Sequence, residues 1–550
     1  MTFRTIIAAL STSLGSIPIV QASFDNAQAS PENEWSWTTF RLLAVLCLAF
    51  SLYSILLHPE FINPLRHRWL SRNLYNQLVL QKTPAELLSH IATETPNDGL
   101  LALREPSSLT LLITRPSILT ELLVSRASDF QRSTALQGFF KILTLDGLFT
   151  VSGDQHKSLK KRSLPHFSFR AIKNLYPLMW RQASHFASAV EANFNNIVPE
   201  NDGTLTGTVE LSDLTNESTF KVIGTTVFGR AHETSSDRAF DHLRSLLEFF
   251  LKPTASTTVY VALTFYSPSW VSKYVTYPLY QQAVRTSAAL EKLCLQLVEE
   301  KRKQLRTDPE SADLASHMIQ SGHFTDYEIA SQLLTYLVAG QETTAGAINW
   351  IYYLLARDAR RQSLLRSEIR DALGGFSDVD SQNDLASILE GLPYLNGVIN
   401  ETLRLYPNVP VTQRVAVRDT TLAGFHIPAG TTVYLSPWLI QRSKEVWGPE
   451  ADQFQPERWI RNEDGQQKLD PSGGMKSNVD YLPFLHGPRN CIGQNFARAE
   501  LRCLTAALAM RFEWTLETDG DIPLSGVITI NPEGGLRLRL KTLSSKDATD

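Results

Sequence analysis

A cysteine in a glycine-rich loop is the clearest candidate for chemistry in this chain of 550 residues. Cys491 lies in the segment 484–493, FLHGPRNCIG, and directly precedes a predicted helix. A nearby arginine and a helix N-terminus both favour the thiolate form of a cysteine. Gly487 and Gly493 let the backbone approach a large flat group, and Arg489 can bind a carboxylate such as a haem propionate. The loop therefore predicts a cysteine thiolate, which as a ligand of haem iron would promote cleavage of the O–O bond.

A second polar segment, residues 339–344 (AGQETT), falls in the middle of a long apolar helix. Thr325 and Glu328 form a capping box at the start of this helix, and its apolar positions continue to Leu355. A helix of about thirty residues would cross a whole domain. A glycine followed by an acid–alcohol pair is unfavourable there unless the helix opens for a ligand. The alternative is a patch of small residues that packs against another helix.

The elements that must position these residues change in character along the chain. From residue 98, a strand–turn–strand segment and a helix with proline in its first turn are predicted, and helical patterns then dominate up to about Arg370. Beyond Tyr406, short strands alternate with turns rich in proline and glycine, as in 424–437. Leucines alternate with arginines over 536–540, as in a half-exposed strand. We therefore expect a mainly α fold with small β-sheets (α+β).

The cysteine loop resembles the haem-binding signature of the cytochrome P-450 family, F-x-x-G-x-R-x-C-x-G. The segment 339–344 is similar to the family's oxygen-binding helix motif, [AG]-G-x-[DE]-T-[TS], and the resemblance runs in the family's order over about residues 98–545. It implies the cytochrome P-450 fold, with the long central helix over a haem b group whose iron has an axial cysteine thiolate. The fixed positions of the signature are matched by Phe484, Gly487, Arg489, Cys491 and Gly493.

The resemblance also implies roles for other polar residues. Glu342 would relay protons from solvent, and Thr343 would hold water beside the iron. Arg414 matches an arginine of the family that contacts a haem propionate. His156 and Lys160 stand where the family often has W/H-x-x-x-R, but lysine cannot bind a carboxylate through two parallel hydrogen bonds as arginine does. For each of these basic residues the alternative is a solvated side chain.

Glu401 and Arg404 are spaced by three residues and lie on one face of a predicted helix. An isolated pair of this kind is usually solvated and contributes only a few tenths of a kcal/mol to helix stability. Together with Arg458, however, they resemble the buried Glu-Arg-Arg network of the family. Trp459 follows where the family often has phenylalanine. The resemblance implies a structural role for these three charged residues and no catalytic one.

The N-terminal region has the composition of a membrane anchor. Residues 42–57 carry no charge, Trp35 and Trp37 suit the membrane interface, and basic residues follow the span. The positive-inside bias places the rest of the chain in the cytosol; the alternative is a buried core helix. The expected boundaries are a signal peptide or a first membrane span over 1–22, a lumenal segment over 23–37, a transmembrane helix over 38–58, a linker over 59–97 and a haem-thiolate catalytic domain over 98–550.

Composition and cysteine usage argue against several other classes of protein. A formal net charge of -4 gives no electrostatic support for a nucleic-acid partner. The four cysteines, Cys47, Cys294, Cys491 and Cys503, show no CxxC spacing, so neither a zinc site nor a disulfide framework is indicated. The sequence has no G-x-G-x-x-G and no G-x-S-x-G motif, so neither a dinucleotide-binding domain nor a hydrolase is supported.

The expected function is therefore that of a monooxygenase, which inserts one atom of O2 into an apolar or amphiphilic small molecule. Specialised-metabolite biosynthesis is one setting for such an enzyme. The segments 130–150, 246–274 and 408–412 and the helix before Gly340 are expected to line the substrate pocket. Electrons would come from a separate NADPH-dependent flavoprotein reductase, with the chain in the endoplasmic reticulum membrane and its catalytic domain facing the cytosol.

Two other functions compete with this expectation. One is a haem-thiolate isomerase or dehydratase that does not use O2. Members of the family of that kind tend to lack the acid–threonine pair, so Glu342 and Thr343 count against it. The other is a non-enzymatic haem-binding protein, which would not need a proton-relay helix.

Overall fold

This computed structural model of the chain describes residues 83–104, 109–229, 242–247, 260, 264, 277–309, 313–374, 384–526 and 528–543. All of them fall in the unit Arg68–Asp550. The segments predicted over 1–22, 23–37 and 38–58 lie outside the described residues. Within the part of the chain that is described, no helix combines the length and the apolar character needed to cross a bilayer.

Helices form the body of the fold, as predicted. Several begin at a capping hydroxyl or carboxylate, such as Ser133, whose side chain accepts a hydrogen bond from the Leu136 N–H. The α-helices are α1 Pro84–Glu94, α2 Pro116–Thr120, α3 Thr134–Thr144, α4 Gly153–Ser163, α5 Phe169–Lys173, α6 Tyr176–Ala192, α7 Leu211–Phe228, α8 Tyr277–Leu305, α9 Leu314–Ser321, α10 Asp326–Ala356, α11 Ala359–Leu373, α12 Leu385–Gly391, α13 Pro393–Leu405, α14 Pro437–Ile440, α15 Lys444–Trp447 and α16 Gln494–Arg511. A π-helical turn, Glu121–Ser125, extends α2, and 3-10 turns occur at Leu164–Phe167 and Pro456–Trp459.

The sheets are small. The strands are β1 Leu100–Arg104, β2 Leu109–Ile113, β3 Phe130–Gln131, β4 Asn195–Pro199, β5 Leu205–Glu210, β6 Thr412–Ala416, β7 Thr420–Leu422, β8 Phe425–Ile427, β9 Thr432–Leu435, β10 Ile460–Glu463, β11 Gln466–Leu469, β12 Phe512–Leu516, β13 Leu524–Ser525, β14 Asn531–Pro532 and β15 Arg537–Thr542. One sheet has the order β1-β2-β9-β6-β3 and another the order β12-β15-β5-β4; β7–β8, β10–β11 and β13–β14 form pairs. In β15 Leu538 and Leu540 are buried while the arginines are exposed, which confirms the predicted alternation.

The long helix predicted from the capping box is α10, with 31 residues. The Thr325 hydroxyl accepts from the Glu328 N–H, and the Glu328 carboxylate accepts from the Thr325 N–H. Most of α10 is buried, and it packs against α7, α8 and α16. Tyr352 fixes α10 to α16, because its hydroxyl donates to the Leu504 carbonyl at 2.8 Å. The helix thus runs through the core beside the helix that follows Cys491.

Helix α1 lies inside the range 59–97 that the sequence predicted as a linker. Its residues Leu87 and Leu88 are buried in a cluster with Leu103 of β1 and Leu112 of β2. This burial removes apolar surface from water and fixes the helix to the sheet. Part of the predicted linker is therefore integral to the catalytic domain, which begins before residue 98.

Candidate active site

The backbone of the cysteine loop forms a tight turn. The Cys491 N–H donates to the Phe484 carbonyl at 2.9 Å, and the Asn490 N–H donates to the Gly487 carbonyl at 3.0 Å. Gly487 has a φ of 80°, and a Cβ at this position would lie 1.9 Å from the carbonyl oxygen of Leu123. Both the left-handed conformation and the close approach require glycine. The signature glycine thus lets the loop pack against the middle of the π-helical turn that extends α2.

The Cys491 side chain is accessible although protein atoms surround it, which places it on an internal space. Burial raises the pKa of the Cys491 thiol, whereas the Gly493 N–H and the charges of Lys160 and Arg132 lower it. Gly493 also caps the N-terminus of α16. A thiol that coordinates a metal ion is deprotonated outright. The donors and cations around the sulfur therefore suit a thiolate ligand.

Basic side chains from three separate segments meet beside this loop. Burial and the charge of Arg489 lower the pKa of Arg414 to about 10, and burial lowers the pKa of Arg489 to about 10. Burial, Arg414 and Arg489 also lower the pKa of Arg132 well below its usual value. Burial and the charges of Arg489, Arg132 and Lys160 lower the pKa of His156 to about 3. Burial and neighbouring charges thus disfavour the positive charges of Arg132, Arg414 and His156, and burial disfavours that of Arg489.

Strand pairing places two of these cations side by side. In the antiparallel pair of β3 and β6, Gln131 lies opposite Val415. Arg132 follows Gln131 and Arg414 precedes Val415, so this pairing brings the two arginines close together, and the charge of Arg414 lowers the pKa of Arg132. Like charges across a sheet are destabilising unless an anion lies between them. The local strand geometry therefore concentrates positive charge at one place.

This cluster fits the carboxylates of a haem. Among the described residues, Arg132, Arg414 and Arg489 form no ion pair with an acidic side chain, and Arg414 Nη2 is buried without a hydrogen-bond partner. Arg489 Nη1 donates to the Val151 carbonyl at 2.9 Å, which holds it in place. Two propionates would offset two of the three positive charges of this cluster, and arginine suits carboxylates through its planar fork. The donor set thus matches a porphyrin whose iron Cys491 would hold.

The histidine and lysine predicted beside a propionate both lie on α4. His156 is buried, and Lys160 Nζ donates to the carbonyls of Pro488 and Asn490 at 2.7 and 3.3 Å and to Asn490 Oδ1 at 2.6 Å. Lys160 therefore stabilises the cysteine loop through these hydrogen bonds. The propionate contacts of His156, Lys160 and Arg414 stay predictions.

The middle of α10 presents its small and polar residues to an internal space. Ala339 is exposed, and Gly340, Glu342 and Thr343 are partly exposed, although the helix is buried on both sides of them. The Thr343 hydroxyl donates to the Ala339 carbonyl at 2.7 Å. The α-helix is continuous here, so the expected opening of the helix for a ligand is replaced by this local hydrogen bond.

Glu342 is linked to the C-terminal part of the chain. The Thr529 hydroxyl donates to Glu342 Oε1. Burial raises the pKa of the Glu342 carboxyl, and the hydrogen bond from Thr529 lowers it. An acid whose pKa moves from its usual range toward neutral pH is suited to accept and give up protons during turnover.

The Glu401–Arg404 pair is a buried structural ion pair, as predicted. Both side chains are 0% exposed, and Arg404 binds Glu401 through Nε and Nη2 at 2.8 and 2.7 Å. Trp459 Nε1 donates to Glu401 Oε2 at 2.9 Å, and Arg458 Nε lies 3.6 Å from Glu401 Oε1. The tryptophan at 459 thus joins the network, which fixes α13 to the Pro456–Trp459 turn.

A protein-family model described as Cytochrome P450 matches residues 76–536. The chain belongs to the cytochrome P450 family. The cytochrome P450 monooxygenase sphH of Aspergillus fumigatus is 32% identical over 515 residues, which are 90% of this chain and 91% of that protein. The cytochrome P450 monooxygenase ptmK of Penicillium ochrochloron is 32% identical over 92% of this chain and 99% of its own length. The chain is accordingly a cytochrome P450 monooxygenase.

A solved structure shows the same fold. The crystal structure of the cytochrome P450DA heme domain matches with a TM-score of 0.68 and 22% identity, over 84% of this chain and 94% of that one. Family and fold together imply a haem with cysteine thiolate ligation. This P450 would hold the haem through Cys491 on one side and the Arg132–Arg414–Arg489 cluster at its carboxylates. When bound, the haem supplies the O2 and one-electron chemistry.

Sequence reasoning missed Arg132 and Thr529. Arg132 is fixed by the Phe149 carbonyl and lies 3.8 Å from the centroid of the Phe149 ring. The signal that could have found it is an arginine at the end of a short strand inside the segment 130–150, which the sequence predicts to line the pocket. Nothing in the local sequence around Thr529 signals its contact with Glu342, because the contact spans 187 positions.

Proposed function

We propose that this cytochrome P450 inserts one atom of O2 into an apolar or amphiphilic small molecule, with electrons from a separate NADPH-dependent flavoprotein reductase. The observation that supports this most is the placing of Glu342 and Thr343 on the accessible face of α10. An isomerase or dehydratase that does not use O2 would not need an acid–alcohol pair at this place. Glu342 would hold and pass on protons, and the Thr343 hydroxyl would orient water.

An apolar substrate is supported by the aromatic residues of the segment 130–150. The ring centroids of Phe140 and Phe149 lie 4.1 Å apart, and the side chains of Phe149 and Leu136 are only partly buried. Pockets for small molecules are lined mainly by such side chains. Most of the segment 246–274, which the sequence also predicts to line the pocket, lies outside the described residues.

The reduced, carbon-monoxide-bound difference spectrum of the full chain in membranes tests the thiolate. We expect the long-wavelength Soret band typical of thiolate ligation, and we expect Cys491→Ser to abolish it while Cys503→Ser, a change at a buried cysteine of α16, retains it. An unchanged band in Cys491→Ser would contradict the ligand assignment.

Incorporation of labelled oxygen tests the reaction class. With reductase, NADPH and 18O2, extracts of small molecules should yield products that carry one labelled atom. Thr343→Ala should keep the haem and release more peroxide per NADPH. Conversion that proceeds without O2 and is unaffected by Thr343→Ala would favour the isomerase or dehydratase.

The location is part of the same proposal. We infer from the composition of residues 38–58 that they anchor the enzyme in the endoplasmic reticulum membrane with the catalytic domain facing the cytosol. Removal of residues 1–58 should release the haem protein into an alkaline carbonate wash, whereas the full chain stays in the pellet. In sealed microsomes, added protease should digest the domain of the full chain. A protected domain would contradict this topology.

A further inference from the structure

A buried amide, Asn408, lies against α10 one turn beyond Glu342. Its side chain is only 7% exposed, and neither Nδ2 nor Oδ1 has a hydrogen-bond partner among the described residues. Leaving a buried donor and acceptor unpaired is unfavourable, and native proteins satisfy such groups with ordered water or a ligand. We therefore expect ordered water or a polar ligand group to bind the amide at this place.

Gly346 makes room for this amide. A Cβ at Gly346 would lie 2.4 Å from Asn408 Nδ2, 2.9 Å from Asn531 Oδ1 and 3.1 Å from the Ile530 carbonyl oxygen. Residues four apart share one face of a helix, so Gly346 lies on the same face as Glu342. The polar atoms around Gly346 and the carboxyl of Glu342 thus border one strip of the helix surface.

The segment that carries Thr529 and Asn531 is fixed along this strip. The Thr529 hydroxyl donates to Glu342, and the Ile530 N–H donates to the Asn408 carbonyl at 3.0 Å. Trp350 Nε1, one turn beyond Gly346, donates to the Ile530 carbonyl at 3.1 Å. Hydrogen bonds therefore hold α10, the backbone of Asn408 and the segment 529–531 together around the unpaired amide.

We propose that Asn408, with Asn531 and Gly346, forms a water site that supplies protons to Glu342, and that Asn408 is a positioning residue for proton delivery. The proposal deepens the proposed monooxygenase function and rests on it. Water at the amide would donate to Oδ1 and accept from Nδ2, which orders it beside the carboxyl. Each proton that Glu342 gives up is replaced by one from this water, which in turn takes one from solvent. No electrons are exchanged in this step.

Two variants perturb the site by different routes. Asn408→Val removes both polar atoms and leaves a smaller apolar side chain. Gly346→Ala leaves the amide in the chain, but the new methyl group displaces it, while alanine favours the helix. Asn408→Ser keeps a hydrogen-bonding group and should fall between the wild type and Asn408→Val. Gly391→Ala is the matched control, because a Cβ at Gly391, the last residue of α12, meets no atom within 4 Å.

The first readout does not require turnover. At a pH low enough to protonate Glu342, its carboxylic C=O band is identified in infrared difference spectra by its loss in Glu342→Gln. This band shifts when the haem protein is transferred from H2O to D2O. We expect Asn408→Val and Gly346→Ala to slow this exchange about 3- to 10-fold, and Gly391→Ala to leave it unchanged. The expected change in exchange rate is small compared with the roughly 10²- to 10⁴-fold rate enhancement that a positioned proton donor contributes to catalysis. Exchange at the wild-type rate in both variants would overturn the proposal.

The second readout is peroxide released per NADPH in membranes with reductase, using dodecanoic acid as an apolar probe. The two variants should release more peroxide than Gly391→Ala at an unchanged carbon-monoxide spectrum. If Asn408→Val altered only the spectral binding of the probe, Asn408 would bind substrate and the water site would be refuted. If the wild type consumed no O2 under any condition, the monooxygenase function would fail, while the infrared exchange would still decide the water site.

Discussion

Replacing Glu401 by glutamine tests whether the buried ion pair of α13 stabilises the whole domain. Both carboxylate oxygens of Glu401 are fully buried and accept hydrogen bonds. Oε1 accepts from Arg404 Nη2 at 2.7 Å and from the Gln455 N–H at 3.1 Å; Oε2 accepts from Arg404 Nε at 2.8 Å and from Trp459 Nε1 at 2.9 Å. Glutamine would replace one of these oxygens by an NH2 group, which faces two donors and can accept from neither.

The cost follows from this geometry. Whichever oxygen is replaced, two hydrogen bonds to a charged acceptor are lost, at about 1.5–3 kcal/mol each. We therefore expect the free energy of unfolding to fall by about 3–6 kcal/mol, consistent with the roughly 3–5 kcal/mol seen when one partner of a buried ion pair is removed. This is a large part of the roughly 5–15 kcal/mol that stabilises a typical domain.

The assay is urea unfolding of the full haem-loaded chain in detergent, followed by the loss of the thiolate carbon-monoxide band. Glu299→Gln is the matched control, because Glu299 and Lys303 form an exposed ion pair at 2.9 Å with side chains 68% and 69% exposed. Such a pair contributes only about 0.3–0.5 kcal/mol. Equal urea midpoints for Glu401→Gln and Glu299→Gln would refute the reasoning. If Glu401→Gln does not accumulate, Arg458→Gln removes the longer contact and should lose about 1–3 kcal/mol.

Three further predictions concern the site. Gly487→Ala should displace the cysteine loop and abolish the thiolate carbon-monoxide band. The control Gly424→Ala, at a similar positive φ but with open space at its Cβ, should retain the band. Retention of the band in both variants would contradict the claim that the close approach of Gly487 to Leu123 requires glycine. Thr529→Val removes a hydrogen bond that lowers the pKa of Glu342, so the pKa of Glu342 should rise further. The infrared C=O band of the protonated carboxyl should then persist to higher pH than in the wild type. A band lost at lower pH would contradict the predicted direction of the pKa change. Arg132→Gln removes one cation of the cluster and should speed haem transfer to apomyoglobin about 10- to 100-fold, corresponding to about 1.5–3 kcal/mol; unchanged transfer would exclude Arg132 from haem binding.

The sequence by itself determined the features that depend on neighbours in the chain. The capping box at Thr325 and the apolar positions after it specify α10, because backbone groups at a helix start and side chains on one face interact over three or four residues. The spacing of the cysteine loop determined the family, because its glycines, arginine and cysteine act within ten residues. The spacing of Glu401 and Arg404 places them on one helix face for the same reason, whereas their burial was implied only by the family resemblance.

Only the tertiary structure decided which distant residues complete the site. Arg132 reaches Arg414 through strand register, and Thr529 reaches Glu342 across 187 positions, so no local pattern records either contact. The sequence predicted a linker where α1 lies, because the burial of its apolar residues depends on their packing against β1 and β2. Asn408 is polar in a segment expected to line an apolar pocket, and its unpaired amide is evident only when Gly346 and Asn531 lie beside it. The physical reason is that burial and charge crowding are properties of packed segments, and packing brings together residues that the sequence keeps far apart.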